Sequence, residues 1–103
     1  MPRLLHHFSV LIGSLIVLLF VACATTAPVQ EMSNARQTIQ AAVEAGAEIH
    51  APAELANARE LLEDASRELE VGNYPLARDY AVQAKQRAMQ ARQTALLKTR
   101  QKE

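Results

Sequence analysis

Cys23 is the one cysteine among 103 residues, so its thiol has no intramolecular disulfide partner. Three histidines are the other groups that chemistry at neutral pH would recruit, and His6 and His7 sit at the very start of the chain. His50 stands beside Pro52 in a stretch that reads as a loop. With no nucleophile spaced near it, it reads as a solvated loop histidine rather than a general base. The carboxylates lie along helix faces without the cysteine or histidine company that a metal site takes. Gly46 and Gly72 stand alone, each at the end of a helical pattern, so no glycine-rich phosphate loop is present. The residues therefore predict no catalytic set, no metal and no cofactor. Chemistry is expected at Cys23 alone.

The reason lies in the residues before it. Met1–His7 carries a free amine and Arg3, and Val10–Val21 then runs without a charge. That run is short of the ~20 apolar residues needed to span a bilayer as a helix, and it matches the h-region of a secretory signal. Small residues follow in Ala22-Cys23-Ala24-Thr25-Thr26-Ala27-Pro28. Phe20-Val21-Ala22-Cys23 resembles the bacterial lipobox, with Phe20 where Leu is commonest. The resemblance implies cleavage after Ala22, diacylglyceryl transfer to the Cys23 sulfur and acylation of the freed amine, palmitate being a typical chain. One acyl chain holds a protein marginally, whereas two or three hold it durably. Two other readings stay open. Ala22-Cys23-Ala24 also fits an A-x-A site cut after Ala24, which releases a soluble protein, and the leader could remain as an uncleaved anchor. Ala24 is not the aspartate that retains such proteins in the inner membrane of enteric bacteria. The expected location is therefore the outer membrane, lipid-anchored on its periplasmic face.

Residues 1–22 are thus expected as signal peptide, 23–28 as lipidated cysteine and tether, and 29–103 as one helical domain. Phe8 and Phe20 fall in the leader, which leaves Tyr74 and Tyr80 as the aromatic residues of the mature part. Alanine dominates with Gln, Glu, Arg and Leu, all good helix formers. Such a core supplies roughly 3–5 kcal/mol of net stability, so a partner, self-association or the membrane surface is a natural further support. Net charge is zero, but its distribution is uneven. Acids crowd residues 31–70, and bases (Arg78, Lys85, Arg87, Arg92, Lys98, Arg100, Lys102) crowd 74–103.

Three helices are predicted, over about 29–45, 52–71 and 75–99. Val29, Met32, Ala35, Ile39, Ala42 and Val43 recur at steps of three and four, and Gly46 stops the pattern. Pro52 restarts it at a first-turn position, and Leu55, Ala58, Leu62, Ala65 and Leu69 form a second stripe. After Gly72-Asn73, Pro75 opens a third helix with Ala77, Ala81, Ala84, Ala88, Ala91 and Ala95 on one line. Counting outward from the tight turn sets Leu69 by Ala77, Ala65 by Ala81, Leu62 by Ala84, Ala58 by Ala88 and Leu55 by Ala91. It also sets Glu68 near Arg78 and Glu60 near Lys85. The same counting around Ile49 sets Val43 near Leu55 and Ala35 near Leu62. The predicted fold is all-α: a small three-helix up-down-up antiparallel bundle of coiled-coil-like packing.

Ala45 to Ala84 carries Ala-Pro-Ala-Glu-Leu-Ala-Asn-Ala-Arg, then Gly-Asn-Tyr, then Ala-Arg-Asp-Tyr-Ala-Val-Gln-Ala. This pattern resembles a bacterial lipoprotein family known only as a domain of unknown function, family 4398. In longer relatives that domain precedes an OmpA-like peptidoglycan-binding domain, which these residues do not contain. The Gly-Asn-Tyr turn is also similar to that of tetratricopeptide repeats, but one hairpin falls short of the three or so repeats a solenoid needs.

The expected function is that of a non-catalytic, membrane-anchored envelope lipoprotein, a protein-interaction or scaffold module facing the periplasm. Its partners are the membrane, through acyl chains on Cys23, and an envelope protein or a peptidoglycan-associated one. The basic third helix does not predict nucleic acid, since an exported protein seldom meets it and the acidic second helix offers charge pairing. Beyond about Arg92 the third helix is expected to outrun its partner, making Leu96, Leu97, Lys98, Arg100 and Lys102 a candidate interaction surface. The alternative is a structural, Lpp-like lipoprotein linking outer membrane and peptidoglycan. Such chains are single heptad rods, and here Gly46, Pro52, Gly72 and Pro75 break any rod.

Overall fold

The computed structural model describes the backbone of residues 2–24 and 26–102, and the side chains of 5–16 and 26–102. It is all-α. Among the described residues there are five helices: α1 (Pro2–Ala24), α2 (Val29–Glu44), α3 (Ala47–His50), α4 (Pro52–Glu70) and α5 (Tyr74–Gln101). Three of these, α2, α4 and α5, fall where the apolar periodicity places helices. α1 is the apolar N-terminal stretch, and α3 is an extra single turn that no periodicity announces.

The helix boundaries follow from backbone chemistry. Pro28 occupies the N-cap of α2 rather than its first turn, and its carbonyl accepts from the Met32 amide at 3.1 Å. Pro52 lies in the first turn of α4 and Pro75 in that of α5, where a missing N–H costs nothing. α4 ends in a Schellman motif. Gly72 takes φ +80°, its N–H donates to the Leu69 carbonyl at 3.1 Å, and the Asn73 N–H donates to the Glu68 carbonyl at 2.9 Å. Gly46 adopts φ +92° between α2 and α3, and so turns the chain through a conformation closed to most residues.

Alanine builds the core. Met32, Ile39 and Leu55 are its larger members, and among the described residues the other buried apolar side chains are alanines, with Pro28 beside them. Ala77, Ala81, Ala84, Ala88, Ala91 and Ala95 have no exposed surface, which makes α5 the element on which α2 and α4 both lie. Small side chains at alternating steps of four and three let the backbones come close. At one end Met32, Ala65 and Ala81 pack together. At the other, Ile39 and Ala42 meet Leu55, Ala58, Ala88 and Ala91, with Ala47, Ala51 and Ala95 closing the cluster. Leu62 touches both groups. These contacts run α4 antiparallel to α5 and α2 parallel to it.

The chain as a whole is elongated, 78 × 32 × 14 Å, with a radius of gyration of 21.2 Å. A compact chain of this length measures ~13 Å. α1 is responsible. Its described side chains, Phe8, Leu11 and Leu15 among them, are exposed, and among the described residues it packs on none of α2–α5. No described helix is long and apolar enough to cross a membrane.

Candidate functional site

Ala22 and Cys23, the expected cleavage and lipidation positions, fall in the last turn of α1. Their side chains lie outside the described residues. The segment 26–28 beyond them is described, and it is not a loose tether. Thr26 is exposed, yet its carbonyl accepts from Arg78 Nη2 at 3.2 Å, 52 residues away in sequence. Arg78 Nε donates at 3.1 Å to Glu31 Oε1 in the first turn of α2. Pro28, between these two contacts, is fully buried. One guanidinium thus ties the segment leaving α1 to the first turn of α2 and the second turn of α5.

This clamp is not visible in the sequence. Counting from the turn sets Arg78 beside Glu68 and Lys85 beside Glu60, but among the described residues neither pair closes to ion-pair distance. The ion pairs observed are Arg78–Glu31, Arg59–Glu48 and, within α4, Arg67–Asp64. Counting fixes a residue's height along the hairpin and says nothing of its flank. Arg78 points from α5 toward α2, away from α4. One signal is available: Glu31 is the first-turn acid of α2, and a parallel α2 and α5 put their first turns at one end.

The candidate surface at the far end of α5 divides. Ala95 is fully buried, packed with Ala47 and Ala51 of the α3 turn. Lys98 Nζ donates to the His50 carbonyl at 2.6 Å, a cation placed on the last carbonyls of α3. α5 is therefore covered well past Arg92, because the chain between α2 and α4 folds over it. Lys98 is bonded to that cover though still exposed, and Leu97, Arg100 and Lys102 are likewise exposed in the final turns. Leu96, 39% exposed, lies elsewhere again, lining a shallow groove of about 240 Å³ with Met89, Arg92 and Gln93.

Other places where chemistry could gather are sparse. A groove of about 330 Å³ runs between α2 and α4 and is lined by Arg36, Ile39, Arg59, Leu62, Glu63 and Ser66. Two of its polar groups are already engaged: Arg59 with Glu48 at 3.0 Å, and the Ser66 hydroxyl with the Leu62 carbonyl at 3.1 Å. His50 is half-buried, and its Cδ2 lies 3.4 Å from where a Cβ on Gly46 would stand. Among the described residues no three of His, Cys, Asp and Glu converge as metal ligands would. The arrangement offers binding surface and a fixed relation between the N-terminal segment and the helices.

Comparison with curated proteins finds no match, and comparison with solved structures finds none either. A family model does match, over residues 30–103, which takes in α2 to α5 and with them the alanine core, the Schellman turn and Arg78. The chain belongs to the family described as Domain of unknown function (DUF4398).

Proposed function

We propose that this chain is a non-catalytic lipoprotein of the bacterial cell envelope, fixed through acyl chains on Cys23 to the periplasmic face of the outer membrane. There it serves as an interaction or scaffold module. The observation that carries this reading is the Arg78 clamp on Thr26, three residues beyond the lipobox-like Phe20-Val21-Ala22-Cys23. An anchor joined to a domain by a long flexible linker needs no such tie. Here the carbonyl of Thr26 and the buried ring of Pro28 meet the base of the helices, so an anchor at Cys23 also holds the module at the bilayer.

In this reading α2, α4 and α5 act as a small up-down-up bundle, with α3 as its cap. α1 serves as the export signal and is removed. Among the described residues the buried surface is alanine-rich and carries no polar side chain, whereas the outer faces are charged. That division suits a module that binds partners through helix surface and has no interior site to hold a substrate. The partner is an envelope protein or a peptidoglycan-associated one.

The test is the intact mass of the mature protein together with its cell fraction. The expected result is a chain beginning at Cys23 with fatty acids on its thiol and amine, in the outer membrane, and a Cys23→Ser variant displaced from that fraction. A wild-type thiol free of fatty acid, with Cys23→Ser unmoved, overturns the reading. Crosslinking in the envelope followed by mass spectrometry identifies the partner. A muropeptide found covalently on Lys102 would instead establish a wall-linking role.

A further inference from the structure

We propose that the exposed face of α5 bearing Val82, Lys85, Met89, Arg92 and Leu96 docks flat against the anionic headgroup layer of a phospholipid bilayer. The inference rests on the anchored reading and gives the anchored module its orientation.

The residues alternate in kind. From Val82 the chain steps by three and four to Lys85, Met89, Arg92 and Leu96, so apolar and basic side chains share one face, each recurring every seven residues. Val82 is 41% exposed and Met89 53% exposed. Lys85 and Arg92 are exposed, and no carboxylate among the described residues lies within ion-pair distance of either. The stripe contains no acid, although acids crowd α4. A face of this composition suits the boundary between headgroups and acyl chains. Val, Met and Leu enter the apolar edge while lysine and arginine stems reach back to the phosphates.

Two observations favour a membrane over a second copy of the chain. Pairing this face with itself in parallel sets Lys85 on Lys85 and Arg92 on Arg92. An antiparallel pairing about Met89 sets Lys85 opposite Gln93, next to Arg92. Both bring bases together, which opposes association. The second observation is the clamp. Arg78 lies one helical turn before Val82 on the same side of α5 and holds Thr26, so the start of the stripe is fixed close to the proposed anchor. Tethering at that distance raises the effective concentration of surface and stripe for one another, and three apolar side chains with two bases then suffice.

The chain has no tryptophan, so Met89→Trp places a single reporter on the stripe. Ala56→Trp places one on an exposed position of α4. Each full-length variant is reconstituted into vesicles of phosphatidylethanolamine and phosphatidylglycerol with brominated acyl chains. The expected result is strong quenching at position 89 and little at position 56. Quenching at 89 should fall when phosphatidylcholine replaces phosphatidylglycerol. With Lys85→Glu and Arg92→Glu the docked population drops roughly 30-fold or more, the worth of two bases at an anionic surface. Equal quenching at 89 and 56, or quenching indifferent to lipid charge, overturns the proposal. So does shielding of the stripe reporter that grows with protein concentration in the absence of lipid, which would assign the face to a second copy. The mass of the Cys23 thiol separates the two readings. An acylated chain whose stripe reporter stays unquenched sinks the docking alone, and an unacylated chain whose stripe reporter is quenched sinks the anchor alone.

Discussion

Arg78 Nη2 donates to the Thr26 carbonyl oxygen at 3.2 Å, joining the second turn of α5 to the segment that follows α1. The same guanidinium holds Glu31 through Nε at 3.1 Å, so it spans three stretches of chain with one planar fork. Lysine could neutralise Glu31 but offers no second donor set at a fixed angle to the first. The group is half-buried, where such contacts are worth something without being decisive.

Arg78→Ala is accordingly expected to lower stability by about 0.5–1 kcal/mol, with Arg78→Lys in between. The larger change is local. Amide exchange at Met32, whose N–H rests on the Pro28 carbonyl, and proteolysis around Ala27 should both speed up more than the global loss predicts. Urea midpoints paired with site-resolved exchange check this. A variant with unchanged exchange at Met32 would show that Arg78 does not hold the segment.

The turn at Gly72 supplies a second expectation. Its φ of +80° admits a Cβ only with strain, although open space surrounds the position. Gly72→Ala should therefore cost about 1–2 kcal/mol through the backbone alone. Gly72→Asn, which tolerates this region better, should cost less. Equal thermal midpoints for wild type and Gly72→Ala would contradict the Schellman assignment.

How much of the fold is legible in the sequence depends on what repeats. The heights of α4 against α5 are legible because Leu and Ala recur on both sides of a tight turn: Ala65 does share a cluster with Ala81, and Leu55 and Ala58 with Ala88 and Ala91. Which flank a charge leaves by is not, because Arg78 and Lys85 sit at the shoulders of α5, where rotation about the axis decides the partner. The cover over Ala95 is also hidden. It comes from a four-residue helix, too short for any period, that buries one alanine and turns on the φ of Gly46. Pro28 reads as the last residue of the expected tether, 23–28. It is buried between the two Arg78 contacts, which no local pattern carries.

Close alanine packing makes α5 intolerant of size. Ala84 has no exposed surface, and its counterpart on α4 by height is Leu62, which already bridges both clusters. Ala84→Leu should cost about 1–3 kcal/mol by overpacking, enough to separate α4 from α5. Val82→Leu, two positions away and exposed, should be nearly neutral. Circular dichroism melts of the pair make the comparison. A stable Ala84→Leu would mean that the helices stand farther apart than their alanines imply.

Leu55 is the most consequential single side chain. It is 1% exposed and, among the described residues, the largest buried to that degree, and it clusters with Ile39, Ala51, Ala88 and Ala91. Neighbours that are mostly alanine cannot reach into a space left by leucine, since a methyl has no rotamer with which to fill it. The loss therefore falls at the unrelaxed end of the range, about 3–5 kcal/mol for Leu55→Ala. A domain this small has roughly that much net stability in total. Leu55→Ala should populate the unfolded chain without denaturant, whereas Leu55→Met, which conserves volume, should keep it folded with a loss of about 1 kcal/mol or less. Far-ultraviolet dichroism at low temperature distinguishes the two. A Leu55→Ala chain that stays fully helical and melts cooperatively would place the stabilising core elsewhere than at the α3 end, where Leu55 joins α2, α3, α4 and α5.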